Sequence, residues 1–293
     1  ITALVQNGQE VQSVNGGEFY LLANQSPFYG ECGGQVGDIG QIIGQNFVIE
    51  VTDTKKKLDG VIVHVCKMTS GEVKTGQTAS FEVNNIIRNR IRANHSVTHL
   101  LHKAMRTILG EHIAQKGSLV GPDRMRFDVS HPQQITAEQL QQIEDMVNES
   151  IRKNYHVNTV IMNKDEAVNC GAMALFGEKY GDEVRVVRME RDGEIYSQEL
   201  CGGTHVSDTG DIGYFNIVSE SAVAAGVRRV ECVTGYGAEK FVQGIENKLH
   251  HISAMLKTNP NDLEARIQNL MDEKKKLEAD IFNLKKTFVS HKS

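Results

Sequence analysis

Tryptophan is absent from this chain, and hydrophobic residues make up only 40% of it, a little low for a compact protein. The shortfall suits a globular body with an extended polar part better than one large core. No apolar run is long enough for a transmembrane helix, and no secretory signal pattern opens the sequence. The expectation is a soluble, cytoplasmic protein with no membrane partner. A disulfide framework is missing too, because the five cysteines are odd in number and irregular in spacing. Positive charge is not in excess: the net charge of −5 argues against bulk attraction to nucleic acid, while saying little about a local patch. An initiator Met is lacking as well. The chain opens at Ile1 in what reads as mid-domain sequence, so a piece of a longer protein is expected.

What is present centres on His95-Ser96-Val97-Thr98-His99. Residues four apart on a helix share a face, so two imidazoles placed this way can grip one metal ion. Taken alone, such a pair is more often surface or core filler. Cys201-Gly202-Gly203-Thr204-His205 changes the balance. Its two glycines disfavour a helix and suit a tight loop, which offers one sulfur and one nitrogen. His95, His99, Cys201 and His205 together form a tetrahedral, borderline-soft set that suits Zn²⁺. Around the histidine pair the charge balance reverses. Arg88, Arg90, Arg92, Lys103, Arg106, Lys116, Arg124 and Arg126 face only Glu111 and Asp123. Either a basic field surrounds the metal or a helix face is simply solvated.

The expected class is α+β, in three parts. Residues 1–84 read as a small β-barrel, with strands at Glu18–Ala23, Phe47–Val51, Gly60–Met68 and Gln77–Val83. Lys55–Gly60 reads as a hairpin tip with Asp59-Gly60 as the turn. The glycine-rich stretch Ser26–Asp38 holds Gly33-Gly34-Gln35, whose backbone N–H groups suit a phosphate or a nucleotide end; a plain turn is the alternative. Residues 85–237 read as helices packed on one side of a mostly antiparallel sheet. A helix is predicted from Asn85 to Leu109 and strands at Met125–Val129, Val157–Met162, Val184–Met189, Ile195–Leu200, Gly213–Ser219 and Gly226–Thr234. Thr136 opens another helix with Gln139 three residues on, a capping-box pattern, and Asn163 caps a short helix through Ala167. Residues 238–293 carry heptads at Val242, Ile245, Leu249, Ile252 and Leu256. After Pro260 these resume from Leu263 to Phe288, with Asp262 as N-cap and Lys274 as the polar interruption. A helical hairpin or antiparallel coiled coil serving as linker or oligomerisation seam is expected there.

With those residues in hand, the chain resembles the editing region of bacterial alanyl-tRNA synthetases and their freestanding trans-editing relatives. The likeness lies in Phe28–Asp38, Arg92–Leu101, Gln115–Ser118, Cys201–His205, Gly210–Phe215 and Gly226–Gly235. The two metal motifs also occur in the editing domain of threonyl-tRNA synthetase, but the glycine-rich β-domain ahead and the helical hairpin behind favour the alanyl family. The resemblance implies a Zn²⁺-dependent deacylase that removes serine or glycine from mischarged tRNA(Ala). It makes His95, His99, Cys201 and His205 the zinc ligands and places Thr98, Gln115 and Ser118 in the amino-acid pocket. Cys201, Gln115 and Thr98 would serve the chemistry. Contacts to tRNA are expected from Arg92, Lys116, Arg228, Arg229 and the loop residues Gly33, Gly34 and Gln35. The ATP-dependent aminoacylation domain would precede Ile1, and a C-terminal globular domain would follow Ser293. In the full-length enzyme the hairpin would support a homo-oligomer.

The chemical need is intelligible. Alanine and serine differ by a hydroxyl, which an apolar pocket rejects poorly, so a second, hydrolytic site is the usual remedy. Zinc can polarise an ester carbonyl and lower the pKa of a bound water to about 7. Four protein ligands make a closed set, however, whereas catalytic zinc keeps an open position. A non-catalytic zinc-stabilised module for tRNA binding and oligomerisation is therefore the rival reading. Proteolysis is disfavoured, because no Glu follows His95 to act as base.

Overall fold

The computed structural model describes residues 1–57, 60–173 and 181–290. Nine strands come first: β1 (Ala3–Gln6), β2 (Gln9–Val11), β3 (Ser13–Val14), β4 (Glu18–Leu22), β5 (Gly40–Ile43), β6 (Phe47–Lys56), β7 (Ile62–Gly71), β8 (Val73–Lys74) and β9 (Ser80–Val83). Seven of them form one antiparallel sheet in the order β2-β1-β4-β7-β6-β5-β9. The expected barrel is corrected here, since the two edges, β2 and β9, do not pair with each other. Both are short, at three and four residues, while the ten-residue β6 and β7 carry the middle of the sheet and two register shifts that bend it. Leu4, Phe19, Leu21, Ile42, Phe47 and Ile49 supply the core of this open sheet. The predicted Asp59-Gly60 turn falls partly on Leu58 and Asp59, which lie outside the described residues.

Helix α1 (Asn85–Leu109) follows directly and matches the predicted span. Asn84 caps it by accepting from the Ile87 N–H, and Gly110 ends it at φ 117°, a conformation that favours glycine. Then come β10 (Gln115–Val120), β11 (Met125–Ser130), α2 (Ala137–Lys153), β12 (His156–Asn163), α3 (Lys164–Asn169), β13 (Glu183–Arg191), β14 (Glu194–Leu200), β15 (Phe215–Ala224) and β16 (Val227–Thr234). The Thr136–Gln139 capping box opens α2 and Asn163 caps α3. One sheet was expected, but there are two, both antiparallel: β10-β11-β16-β15 and β12-β13-β14. The hydrogen bonds from β11 go to β16, far along the chain, so the strands from His156 to Leu200 form a separate ladder. Gln115–Ser118 belongs to β10, with a bulge between Gln115 and Gly117.

α1 is the centre of this half. Val97, Leu100, Leu101 and Met105 pack with Ile143 and Val147 of α2 and with Phe127, Val230 and Phe215 of the four-stranded sheet. Each fully buried side chain of this kind contributes about 1.5–3 kcal/mol, so the helix is held rigidly enough to aim polar groups. Residues Ile1–Glu239 form one compact unit that includes both the N-terminal sheet and α1.

Residues Lys240–Ser293 form a second unit. Its helices are α4, which begins in the first unit (Gly235–Met255), and α5 (Leu263–Ser290). Asn259 rather than Asp262 is the cap: its side chain accepts from the Asp262 N–H at a short turn over Pro260–Asp262. Of the heptad positions, Ile245, Ile252, Leu277, Ile281 and Leu284 are exposed and present apolar surface that nothing among the described residues covers. The side chain of Phe288 lies outside the described residues. No helix of the described residues is long and apolar enough to cross a membrane.

Candidate metal centre and substrate pocket

His95 and His99 stand one turn apart on α1 with their rings stacked, centroids 6.0 Å apart. The end of β14 and the loop after it bring Cys201 and His205 to the same point. One donor atom from each of His95, His99, Cys201 and His205 lies within 4.8 Å of the others. Cys201 Sγ is 3.4 Å from His95 Nε2 and 3.3 Å from His205 Nε2. Ligands of tetrahedral zinc, with Zn–S about 2.3 Å and Zn–N about 2.0–2.1 Å, stand about 3.3–3.7 Å apart, so this spacing fits.

The other ring nitrogens explain why the donors converge. His95 and His99 give their Nδ1–H to oxygen acceptors, and His205 Nδ1 is engaged by the Ser96 hydroxyl, which leaves each Nε2 to face the common point. Gln35 Oε1 accepts from His95 at 2.6 Å and Glu199 Oε2 from His99 at 2.6 Å, while Ser96 Oγ and His205 Nδ1 share a hydrogen bond at 3.1 Å. Glu199 Oε1 also accepts from His102 Nδ1 at 3.0 Å, so His102 shares the carboxylate and stays out of the donor set. His99 Nε2 is buried with no hydrogen-bond partner among the described residues. A buried ring nitrogen without a partner, beside a thiol and two further imidazoles, fits a metal ligand and costs free energy otherwise. Gly203 makes the close approach possible, because a Cβ there would sit 1.9 Å from His95 Cε1.

Electrostatics add to this fit. Burial opposes ionisation of Cys201, but His95 and His205 beside it outweigh that and hold its thiol well below the ordinary range. Burial pushes His205 down to about 3, so it is neutral. Glu199 is held at about 2 against the cost of burial, chiefly by His99 and His102. His99 rises to about 10: burial works against its charge, and the Glu199 carboxylate and Cys201 overcome it. The cluster thus offers a thiolate, the neutral imidazole of His205 and, at His99, an imidazole that a metal would compete for with a proton.

A cavity of about 290 Å³ opens onto this cluster. Thr98, Gln115 and Ser118 line it alongside His95, His99 and Cys201. Tyr29, Cys32 and Gly33 from the glycine-rich loop close it from the N-terminal sheet. Gln115 Nε2 approaches Ser118 Oγ at 3.4 Å, and the Thr98 hydroxyl donates to His95 O at 2.7 Å. A larger cleft of about 830 Å³ lies elsewhere, against Asn24–Pro27 and Gly76–Ala79. Its lining among the described residues includes no acidic, basic, Cys or His side chain.

Residues 184–231, which contain Cys201 and His205, match the family model for the threonyl and alanyl tRNA synthetase second additional domain. Residues 1–87 match the model for class II (A) tRNA synthetases. Similar curated proteins include alanine–tRNA ligases of Mesorhizobium japonicum (52% identical) and Sinorhizobium medicae (51%), each aligned over 98% of this chain. The chain belongs to the alanine–tRNA ligase family. It spans 33% of the length of those relatives, which are enzymes.

Within this ligase-family region, the residues expected to meet RNA are differently placed from one another. Gln35 is wholly buried, its amide committed to His95 and Thr204, so it presents nothing to a nucleic acid and the expectation is corrected. Gly34 serves packing: at φ +83° its missing Cβ would stand 2.4 Å from Ser118 Oγ. Gly33 lines the cavity and Lys116 is exposed on β10. Arg228 grips Glu220 at 2.5 and 2.6 Å, and Arg229 grips Asp128 at 2.7 and 2.8 Å. Both forks are occupied by carboxylates, so neither is open to a phosphate in this arrangement. Arg92 is half-buried; burial, then the neighbouring Arg88, push its pKa down. Much of the basic run is likewise tied internally, Arg88 to Asp38, Arg90 to Asp123 and Arg106 to the Glu111 and Ile113 carbonyls.

Glu199 and Ser96 escaped sequence reasoning. An acidic residue on a strand ordinarily marks the solvent face, yet Glu199 is 2% exposed and pairs with residues about a hundred positions earlier. No local pattern signals that. Ser96 lay inside the histidine motif, but only the fold brings His205 to it.

Proposed function

We propose that this region hydrolyses the ester linking serine or glycine to mischarged tRNA(Ala), acting as the editing part of a cytoplasmic alanine–tRNA ligase. The observation that carries the proposal is the convergence of three imidazole Nε2 atoms and the Cys201 sulfur on the wall of a cavity that also holds Thr98, Gln115 and Ser118. His95, His99, Cys201 and His205 would hold Zn²⁺, which supplies Lewis-acid polarisation of the ester carbonyl. ATP belongs only to the aminoacylation reaction of the longer relatives.

The chain's own groups do the rest. Glu199 and Gln35 fix the tautomers of His99 and His95, and Ser96 orients His205, so no reorganisation is needed when substrate arrives. Thr98 has given its hydroxyl hydrogen to His95 O, which leaves its oxygen free to accept from a seryl hydroxyl in the cavity. Gln115 and Ser118 face the same cavity and offer further donors and acceptors. Alanine would leave these groups unpaired, and a site of that kind rejects alanine relative to serine by about 10⁴; glycine, which also lacks the hydroxyl, does not owe its removal to this bond. Lys116 and Arg92 would approach the acceptor end of the tRNA, and the exposed heptads of α4 and α5 would support a homo-oligomer.

The decisive experiment is deacylation of seryl-, glycyl- and alanyl-tRNA(Ala), with metal content measured on the same sample. Turnover of the first two with bound zinc is expected; a metal-free preparation with full turnover would refute the proposal. The closed ligand set favours one second reading, a non-catalytic zinc-stabilised tRNA-binding module. Chelation separates the two. A structural ion would take the fold with it, whereas a catalytic one would take turnover and leave the fold.

A further inference from the structure

Gln35 belongs to the N-terminal sheet's loop, sixty positions from His95 and farther still from Thr204, yet it has no exposed surface. Its Oε1 accepts from His95 Nδ1 at 2.6 Å and from the Thr204 N–H at 2.9 Å, and its Nε2 donates to Thr204 Oγ1 at 2.9 Å. One amide therefore touches both halves of the metal cluster: a ligand on α1 and the loop between Cys201 and His205. The loop that carries it is itself fastened. Val120 N–H donates to Gly34 O at 2.7 Å, and Val36 N–H to Val120 O at 3.1 Å, so the backbone on either side of Gln35 is laced to β10. At the loop's far end Asp38 accepts from the Tyr29 N–H at 2.6 Å and pairs with Arg88 at the start of α1. Tyr29, Cys32 and Gly33 of the same loop form a wall of the cavity.

From this we infer that Gln35 is a positioning residue for the metal centre and that the centre is assembled jointly by the N-terminal sheet and the α1 half. The inference rests on the zinc reading above. Gln35 never reaches the metal. It holds His95 in the Nδ1–H tautomer with Nε2 toward Cys201, and it sets the loop that spaces Cys201 from His205. An imidazole without such an acceptor is free to turn, and loss of a partner of this kind typically costs 10–100-fold in metal affinity. The N-terminal sheet then contributes to the chemistry through one buried amide as well as through the cavity wall.

The test uses the full chain with Co²⁺ as the probe, because its visible bands report coordination geometry and its thiolate charge-transfer band reports Cys201. Gln35→Met keeps length and volume without hydrogen bonds, and Gln35→Glu keeps the acceptor. Gln35→Met is expected to bind Co²⁺ 10–100-fold more weakly with altered bands, and Gln35→Glu to recover both. The loss should also shrink in a His95→Ala background, since a group acting through His95 has nothing left to position. If Gln35→Met does not fold, Gln35→Glu against Gln35→Asn gives the same contrast, as Asn is one methylene too short to span His95 and Thr204. Wild-type affinity and spectrum in Gln35→Met, or equality of the Glu and Asn variants, would overturn the inference. Unaltered cobalt binding with a raised KM for tRNA would return Gln35 to RNA contact. A wild-type chain that takes up no Co²⁺ would sink the zinc reading itself, a failure separate from any variant's behaviour.

Discussion

Leu4, Phe19, Leu21, Ile42, Phe47 and Ile49 meet one another inside the N-terminal sheet, where the one histidine, His64, is buried among aromatic rings. The α1 half has an apolar core of its own, but beside it are buried His95, His99, His102, Ser96, Thr98, Glu199 and Cys201. Removing charges from water costs several kcal/mol per ion, and a buried pair returns that only when geometry and further hydrogen bonds are good. The first core is an arrangement for stability. The second accepts a cost that stability does not require, and its four convergent donors indicate what offsets it. Sequence composition does not separate these regions; the direction in which polar side chains point does.

The sharpest way to break this contrast is to delete a donor. Cys201→Ala or His99→Ala should abolish zinc binding and, with it, seryl-tRNA(Ala) deacylation. Elemental analysis gives the check, and full occupancy in either variant would remove both residues from the ligand set. The N-terminal core should be untouched, so amide exchange there should stay at wild-type protection.

Glu199 comes next. Its carboxylate serves His99 at 2.6 Å and His102 at 3.0 Å, so Glu199→Leu strands two buried imidazoles at once. Breaking a buried pair by removing one partner costs about 3–5 kcal/mol, more than an average substitution. Metal affinity should also fall by about 10–100-fold or more. Chemical denaturation of the metal-free protein, beside a zinc competition titration, separates the two losses. A variant with wild-type values in both would mean that the carboxylate is a bystander.

The residues of the donor set were legible in the sequence because each half is local. Helix periodicity places His95 and His99 on one face, and two glycines keep Cys201 and His205 in a loop. Helix starts were legible for the same reason, as at Thr136 and Gln139. What failed depended on distant contacts. Gln35 looked like part of a phosphate-cradling loop because nothing near it in sequence announces His95 or Thr204. Arg228 and Arg229 looked like an RNA patch because their carboxylates, Glu220 and Asp128, lie across the sheet. Barrel closure depended on whether two short edge strands met, and periodicity carries no information about that. The heptads of α4 and α5 showed which face is apolar without showing what covers it.

A smaller effect is expected where the pocket reads the amino acid. Thr98→Val keeps shape and removes the hydroxyl that would accept from serine, and Gln115→Leu removes an amide from the same cavity. Each hydrogen bond is worth about 0.5–1.5 kcal/mol net, so seryl-tRNA(Ala) turnover should fall about tenfold, with glycyl turnover and zinc content retained. Equal losses on seryl, glycyl and alanyl substrates would assign both residues to architecture.

The smallest effect belongs to the apolar region and turns on a single proton. His64 lies inside the N-terminal sheet, edge-on to Phe28 and Phe81, with Nδ1 donating to Leu21 O at 3.0 Å and Nε2 accepting from the Ser26 hydroxyl at 2.7 Å. Burial lowers its pKa from the ordinary 6.5, so the folded protein resists a proton that the unfolded chain takes up readily. The sign follows from linkage: where the unfolded state binds more protons, stability rises with pH. The contribution of His64 is therefore complete above pH 6.5 and declines as the pH falls below it toward the depressed folded value. His64→Phe should remove that acid sensitivity while losing the two hydrogen bonds, lowering the melting temperature at pH 8 and narrowing the gap to wild type at pH 5. Melting curves on metal-free protein keep the zinc ligands out of the comparison, since their own titrations are common to both proteins. Parallel curves from pH 8 to pH 5 would show that His64 is protonated equally in both states, and that this core, too, tolerates a buried charge.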